Sequence, residues 1–319
     1  MHAIATDSYG PIEQLKRVEL PTPAPAAGQV RVTVHASAVN PAELKVITGE
    51  VKFLHGREFP MVLGYDFSGV VDAVGAGVTS LAKGDEVFGF LAYGNATKRG
   101  AFAEYVVCPA DSVAKKPAGV THVVAAAAAT PAITALQSLR DQGRLGRGGR
   151  VLIIGASGGV GSLGIGVAKK LGATVTAVCS THAVEFVKGL GADTVVDRKK
   201  QDVLRDVEGP FDVVFDAAAA HSWGATRHLL APGGTYVTTL PSGTMVLNMA
   251  MSLFTSTRVR FVIVKALAAD LATLGAWLDE GMKVPVESTI PVRDVVEGIR
   301  RMAKGEMLGR IAVDVAGGF

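Results

Sequence analysis

A glycine-rich segment behind an apolar stretch carries the strongest chemical signal in the sequence. Residues 150–155, RVLIIG, have the composition of a buried strand, and residues 156–172 (ASGGVGSLGIGVAKKLG) predict a turn and a helix. Ala156, Gly158 and Gly161 fall at the three small-residue places of a dinucleotide-binding fingerprint. Small residues permit a tight turn and a close approach of the main chain to a pyrophosphate, which the positive end of the helix attracts. We therefore expect phosphate contacts from Ala156, Ser157, Gly158, Gly159, Val160 and Gly161.

The end of the next predicted strand indicates which dinucleotide binds. Sites selective for NAD usually have an acid there to hold the ribose 2′-hydroxyl. Ser180 and Thr181 stand at this place, and no acid occurs before Glu185. Hydroxyl groups can donate to a 2′-phosphate without repelling it, and positive charge can come from Arg198 and Lys199, just after the third strand, or from Lys188. The sequence therefore favours NADPH as the cofactor.

Residue types that bind metals are too few or too scattered to predict a metal site. The chain has 2 cysteines, Cys108 and Cys179, which exclude a four-thiolate zinc site. Its 7 histidines include no H-x3-H or similar pair. We expect no bound metal.

Charge and hydropathy argue against nucleic-acid and membrane partners. Lys plus Arg exceed Asp plus Glu by 32 − 29 = 3, and the two signs are interspersed, so no basic surface is predicted. The longest uncharged apolar stretch, residues 123–136, is too short to span a bilayer and contains Pro131. The first residues lack a basic segment followed by an apolar one, so we expect a cytoplasmic protein.

The elements that must position these residues suggest two domains, since 319 residues exceed the usual size of a single core. Short predicted strands separated by Gly and Pro residues indicate an irregular β-barrel domain over residues 1–118. Strands alternating with helices, among them a short helix at 202–207, predict a doubly wound parallel sheet over 119–264. Residues 265–319 are too few for a domain and return to complete the first one. The stretch RFVIVK (260–265) predicts an uncovered sheet edge that would join two copies of the chain.

These segments together resemble the medium-chain dehydrogenase/reductase superfamily, in its branch of zinc-free quinone oxidoreductases and enone reductases. The resemblance covers essentially the whole chain. It implies a Rossmann-type nucleotide domain inserted into a GroES-like catalytic domain. The matching stretches are VNPAELKVITG, PMVLGYDFSGVVDAVGAGV, GDEVFGF, GAFAEYVV, VLIIGASGGVGSLGIGVAKKLGA, LGAD, FDVVFDAA and LGRIAVDV.

The resemblance also assigns roles to residues outside the glycine-rich segment. Where zinc alcohol dehydrogenases of this superfamily hold their metal, this chain has Asn40, Tyr65 and approximately Thr130, none a good zinc ligand there. Lys45 is implied to donate to the developing enolate oxygen, and Asn40 to position the nicotinamide or the substrate carbonyl. Tyr65 is a candidate proton donor, Asp66 is expected to be structural, and Thr130 is counted among the cofactor contacts.

The implied activity is hydride transfer from NADPH, without zinc, to a quinone or to the C=C bond of an α,β-unsaturated carbonyl. Two alternatives stay open at this point. One is a biosynthetic enoyl reductase acting on carrier-bound thioesters, and the other is an NADPH-binding protein whose catalysis is incidental. The expected partners are a small-molecule substrate and a second copy of the chain, joined through the edge strand of the Rossmann-type domain.

Overall fold

Two units make up the chain in the computed structural model, which describes residues 1–55, 58–92, 99–240, 243, 245–305 and 307–319. The first unit combines Met1–Thr130 with Lys265–Phe319, and the second is Pro131–Val264. The sequence placed the first division at 118/119 and the second at 264/265. Residues 119–130 lie with the first unit, where the main-chain N–H of Thr130 donates to Asp66 at 2.7 Å.

The described residues of the first segment form two antiparallel sheet regions. One sheet has the strand order β2-β1-β4, and a larger one contains β3-β5-β6-β8, with β7 paired to β3. Val30, Val32 and Val34 alternate inward along β3 and are buried in the core of this unit. The elements are β1 (His2–Thr6), β2 (Lys16–Glu19), β3 (Gln29–Ala38), α1 (Pro41–Ile47), α2 (Lys52–His55), β4 (Met61–Val62), β5 (Asp66–Val74), β6 (Glu86–Phe90), β7 (Tyr105–Pro109) and β8 (Val113–Lys115).

Helix α3 (His122–Leu136) is longer than the apolar stretch that predicted it, because it continues through a π-helical turn, Gln137–Gln142. The helical run of residues 122–142 is apolar and long enough to cross a membrane, but 83% of its most apolar window is buried inside the protein. Ala127 packs with Ala38 and Ala312, where small side chains allow the helix to approach the strands closely. The helix is therefore part of a protein core.

The second unit contains a six-stranded parallel sheet with the strand order β11-β10-β9-β12-β13-β14. Its central strand β9 is buried after its first residue, as expected for a sheet covered on both faces. The elements of this unit are β9 (Arg150–Ile154), α4 (Gly159–Lys170), β10 (Thr174–Cys179), α5 (Val184–Gly189), β11 (Thr194–Asp197), β12 (Phe211–Asp216), α6 (Trp223–Thr226), β13 (Leu230–Thr238), α7 (Met245–Ser252) and β14 (Arg258–Phe261).

Two local predictions in this unit were wrong. Residues 202–207 form turns instead of a helix, because Asp206 Oδ2 accepts the Asp202 N–H and Asp202 Oδ1 accepts the Leu204 N–H, local bonds that compete with a helix. The strand expected over 260–265 is β14, which pairs with β13 only over Arg258–Phe261.

The last segment returns to the first unit. It adds α8 (Ala268–Asp279), β15 (Val286–Pro291), α9 (Val295–Ala303) and β16 (Arg310–Asp314). Strand β16 lies between β15 and β3 and is antiparallel to β3, so the larger sheet is complete only with this segment. The fold is thus a Rossmann-like parallel-sheet unit inserted between two parts of a GroES-like β unit.

Candidate active site and dinucleotide-binding loop

The start of helix α1 fixes Asn40. The main-chain N–H of Asn40 donates to Glu43 Oε2 at 2.5 Å, and the N–H of Glu43 donates to the Asn40 carbonyl at 3.2 Å. Pro41 occupies the first helical position, where its missing N–H leaves no intrahelical bond unmade. These contacts hold the Asn40 side chain, which is 4% exposed, inside the first unit.

A buried ion pair lies beside Asn40. Asp66, the first residue of β5, accepts hydrogen bonds at Oδ2 from Arg310 Nη2 at 2.7 Å and from Asn40 Nδ2 at 3.0 Å. Its Oδ1 accepts the Thr130 N–H, and Arg310 Nε donates to the Ala127 carbonyl at 3.0 Å. Both charged side chains are almost fully buried, so each depends on the other and on these donors and acceptors. Asp66 therefore has a structural role: burial raises the pKa of its carboxyl, while Arg310, Thr130 and Asn40 favour the ionised form.

The three places that the resemblance connects with zinc are brought together around this ion pair. Asn40 and Thr130 bond to Asp66, and Tyr65 precedes it in the chain. The centre of the group is a carboxylate neutralised by a guanidinium. Over the part of the chain that the structure describes, no three His, Cys, Asp or Glu side chains are grouped to hold a metal. Arg310 was missed as part of the group because 244 positions separate it from Asp66.

Glu43 is a second buried carboxyl group next to this pair. It is fully buried, and burial raises its pKa to about 8, although the N–H of Asn40 works in the opposite direction. Glu43 therefore carries a proton at neutral pH. In the sequence, Glu43 is only one residue of the matching stretch VNPAELKVITG, and its burial near Asp66 became visible only in the folded chain.

Lys45 and Tyr65, the two candidate donors, differ in accessibility. Tyr65 is 3% exposed, and burial raises the pKa of its phenol, so the proton is held firmly. Lys45 lies in the last turn of α1 and is partly exposed. Its ammonium group can therefore meet a ligand with less rearrangement than the Tyr65 phenol requires.

In the second unit, the turn between β9 and α4 has the geometry of a phosphate-binding loop. Gly155 adopts φ +80°, and a Cβ placed on Gly161 would lie 2.2 Å from the Gly155 carbonyl oxygen. Gly161 is thus needed for close packing, as predicted from the fingerprint. The left-handed residue of this turn is Gly155, because a positive φ strains any residue with a Cβ. Ala156 follows the turn, buried, with its N–H bonded to Val178.

The loop fits the pyrophosphate of a dinucleotide. Helix α4 begins at Gly159 after Gly158, and no side chain of a described residue caps its first turn. Among the described residues, a Cβ on Gly158 would have one neighbour within 4 Å, at 3.6 Å, so space is open beside the main chain. Ser157, Gly159 and Val160 are partly exposed around this helix start. Uncapped N–H groups and open space are what an anionic ligand needs at a helix N-terminus.

The predicted 2′-phosphate residues lie at the neighbouring strand ends. Ser180 follows β10 directly, and the Arg198 N–H donates to the Cys179 carbonyl at 2.9 Å, which brings the residues after β10 and β11 together. Arg198 and Lys199 are exposed. The hydroxyl proton of Thr181 is not available to a 2′-phosphate, because it is donated to Asp197 Oδ1 at 3.0 Å. Asp197 is an acid that the sequence did not place here, because it reaches Thr181 only through the pairing of two strands.

Two family models match the chain: the alcohol dehydrogenase GroES-like domain over residues 26–118, and the zinc-binding dehydrogenase family over residues 190–313. The chain is 33% identical to the human mitochondrial NAD(P)H oxidoreductase RTN4IP1, over 90% of this chain and 82% of that protein. The chain belongs to the medium-chain dehydrogenase/reductase superfamily. Among its members, a trans-enoyl reductase of Aspergillus terreus is 31% identical, over 90% of this chain and 86% of that enzyme.

Solved structures of the superfamily agree with the fold. The quinone oxidoreductase from Coxiella burnetii superimposes with a TM-score of 0.89 at 29% identity, covering 99% of both chains. The chain is therefore an oxidoreductase of the branch that contains quinone oxidoreductases and enoyl reductases, and its Rossmann-type unit serves a nicotinamide dinucleotide.

Proposed function

We propose that this protein transfers hydride from NADPH to a quinone or to the C=C bond of an α,β-unsaturated carbonyl, without a catalytic metal. The observation that carries the proposal is the Asp66–Arg310 pair at the centre of Asn40, Tyr65 and Thr130. Because the carboxylate is already neutralised by the guanidinium, this group offers no donor set for zinc. Acceptors conjugated to a carbonyl need less electrophilic help than a simple alcohol–ketone couple does.

The side chains of the first unit support such a reaction in distinct ways. When bound, the reduced nicotinamide supplies the hydride. Lys45 donates a hydrogen bond to the oxygen on which negative charge develops, since an ammonium group has donors and no acceptor. Asn40, held by Asp66 and Glu43, fixes the start of α1, the helix that carries Lys45.

An acceptor screen tests the activity. The purified protein is mixed with NADPH and, separately, a small benzoquinone, a 2-alkenal and an acyl-thioester enoyl substrate, and the absorbance of the reduced nicotinamide is followed. We expect turnover with a quinone or an enone, unchanged after treatment with a metal chelator. No turnover with either class, or its loss on chelation, would contradict the proposal.

The same screen tests the second candidate function. The similarity to a trans-enoyl reductase favours an enoyl thioester as an alternative acceptor. Turnover with the thioester that exceeds turnover with quinone and alkenal by about tenfold or more in kcat/KM would assign the biosynthetic reaction.

NADPH is proposed over NADH because Ser180, Arg198 and Lys199 offer a hydroxyl and two exposed cations near the ends of β10 and β11. Replacing Arg198 by Glu reverses one of these charges. We expect Arg198→Glu to weaken NADPH binding about tenfold or more and to leave NADH binding nearly unchanged. Equal effects on both cofactors would contradict the assignment.

We further propose that the protein is a homodimer joined through β14, the edge strand of the parallel sheet. We also propose that it acts in the cytoplasm on small molecules and has no nucleic-acid or membrane partner. Support for the dimer comes from β14, which has no further strand beside it in the described part of the chain, and from Ile263 just beyond it, which is 73% exposed. The interspersed charges and the buried position of helix α3 support the absence of the other partners.

A further inference from the structure

Asp197 has an unsatisfied oxygen at the place where the dinucleotide's ribose is expected. It is the last residue of β11 and is 8% exposed. Its Oδ1 accepts the Thr181 hydroxyl and the Lys199 N–H, each at 3.0 Å. No described residue donates a hydrogen bond to its Oδ2. The nearest cation, Lys200 Nζ, is 3.8 Å away, beyond hydrogen-bond distance, and its side chain is mostly exposed.

The position of Asp197 follows from strand pairing. In the parallel register, Asp197 lies beside Cys179, the last residue of β10, so its carboxylate stands next to Ser180 and Thr181. Dinucleotides bind at the carboxyl ends of such strands, and the residue after the second strand normally reads the ribose 2′ substituent. In this chain the acid at that place comes from the third strand.

The charge of Asp197 and the position of the Thr181 proton favour a ligand that donates a hydroxyl hydrogen bond over a ligand that carries negative charge. Burial works to raise the pKa of Asp197, but the Lys199 N–H and the Thr181 hydroxyl outweigh it and hold the pKa below its usual value. Asp197 is therefore ionised at neutral pH. The single hydroxyl proton of Thr181 is donated to Asp197, so the Thr181 oxygen offers lone pairs outward. A buried carboxylate oxygen without a donor is costly until a donor arrives.

We propose that Asp197, with Thr181, is a cofactor-discriminating residue that accepts a hydrogen bond from the ribose 2′-hydroxyl and repels a 2′-phosphate. The chain then binds NADH as well as NADPH. Asp197 limits the preference for NADPH that Arg198 and Lys199 create. The inference rests on the proposed function only in taking this corner as the site of the adenosine ribose.

Equilibrium titration of the full-length protein with NADPH and with NADH, followed by nicotinamide fluorescence or calorimetry, tests the proposal without any substrate. Asp197→Asn keeps an acceptor for the Lys199 N–H and removes the charge. We expect the ratio of the NADH to the NADPH dissociation constant to rise about tenfold or more, with tighter NADPH and weaker NADH binding. Thr181→Val, a change at an exposed residue, should weaken NADH binding while affecting NADPH less.

Asp193→Asn is the matched control, since it removes the same charge from a residue that precedes β11 and bonds to Lys169 and to the Val175 N–H. Its dissociation-constant ratio should equal that of the unaltered protein. An unchanged ratio in Asp197→Asn, or the same shift in Asp193→Asn, would overturn the proposal. If Asp197→Asn does not fold, the Thr181→Val titration decides alone, and an unchanged NADH affinity there overturns it. If the unaltered protein binds no NADPH, the proposed cofactor is wrong, whereas NADPH binding with an unchanged ratio contradicts only the role of Asp197.

Discussion

The polar side chains of the first unit are of two kinds: some use their hydrogen-bond donors within the protein, and others have donors that can bind a ligand. The amide nitrogen of Asn40 contacts three acceptors, on Asp66, Ala38 and Glu43, at 3.0 to 3.4 Å. Its donors are therefore used within the protein. Lys45 differs, because no described residue bonds to its ammonium group and its side chain is partly exposed. Within this motif, Asn40 is held by protein acceptors, whereas Lys45 keeps an ammonium group that is available for the donor role we propose.

Replacing Lys45 by Ala should lower kcat about 100-fold while changing the dissociation constant of NADPH by less than about threefold, because one donor to a developing oxyanion is lost. Steady-state kinetics together with cofactor titration separate the two effects. Lys52→Ala, which removes an exposed cation from α2, is the control and should behave as the unaltered protein. A kcat that survives in Lys45→Ala would remove this residue from the reaction.

Glu43 should make stability depend on pH. Its folded pKa of about 8 lies above the unfolded value near 4.5, so its contribution is fully present below about pH 4.5 and is lost as pH rises through 8. Over that window the unfolding free energy should fall by up to about 1.4 kcal/mol per pH unit. Glu43→Gln, which cannot ionise, should flatten the fall of Tm between pH 5 and pH 8.

The exposed neighbour Glu50 provides the control for this prediction. Glu50→Gln should keep the pH dependence of the unaltered protein. If Glu43→Gln and Glu50→Gln give the same Tm profile, Glu43 is ionised in the folded state after all.

Among the elements, the β9–α4 turn links sequence and function most directly. The chain leaves β9 through Gly155 at positive φ, and α4 starts so close to this turn that Gly161 touches the Gly155 carbonyl. A side chain at Gly161 would push the helix start away from the sheet. The uncapped N–H groups would then move relative to the place that the phosphates occupy.

Gly161→Ala should therefore weaken NADPH binding about tenfold or more and destabilise the protein by about 1–3 kcal/mol, the usual cost of overpacking. The measurements are cofactor titration and thermal unfolding. Gly189→Ala in α5, where a Cβ would meet no atom of a described residue within 4 Å, should leave both values unchanged or raise the Tm slightly. If the two variants have the same NADPH affinity and the same Tm, α4 can shift without loss of cofactor binding or stability, which would contradict the prediction.

Local elements were the part of the fold that the sequence could predict. The strand–turn–helix around Gly158 depends on nearby residues only, so apolar composition and glycine spacing were sufficient. The sequence could not show which residue takes the positive φ, since that depends on the exact exit of the strand at Gly155. It also could not show that Asp197 bonds to Thr181, or that Arg310 neutralises Asp66, because strand pairing across long separations creates these contacts.

At the scale of the whole molecule, β14 is an edge strand of the six-stranded sheet that no described strand covers, and this leads to a prediction about the oligomeric state. Light scattering after size-exclusion chromatography should give the mass of two chains, and Ile263→Asp should shift it toward one chain, because a charge would be buried beside β14. Val74→Asp, at a half-exposed position at the end of β5, is the matched control and should stay dimeric. A single-chain mass for the unaltered protein would contradict the dimer.

The ion pair between Asp66 and Arg310 has a consequence for synthesis on the ribosome. Its members are 244 positions apart, and the whole second unit lies between them in the chain. Strand β3 likewise receives its neighbour β16 only when residues 310–314 emerge. The inserted unit is therefore available to fold first, while the unit that begins the chain holds an unpaired carboxylate and an incomplete sheet edge. During that interval the first unit is the part of the nascent protein that a chaperone would need to protect.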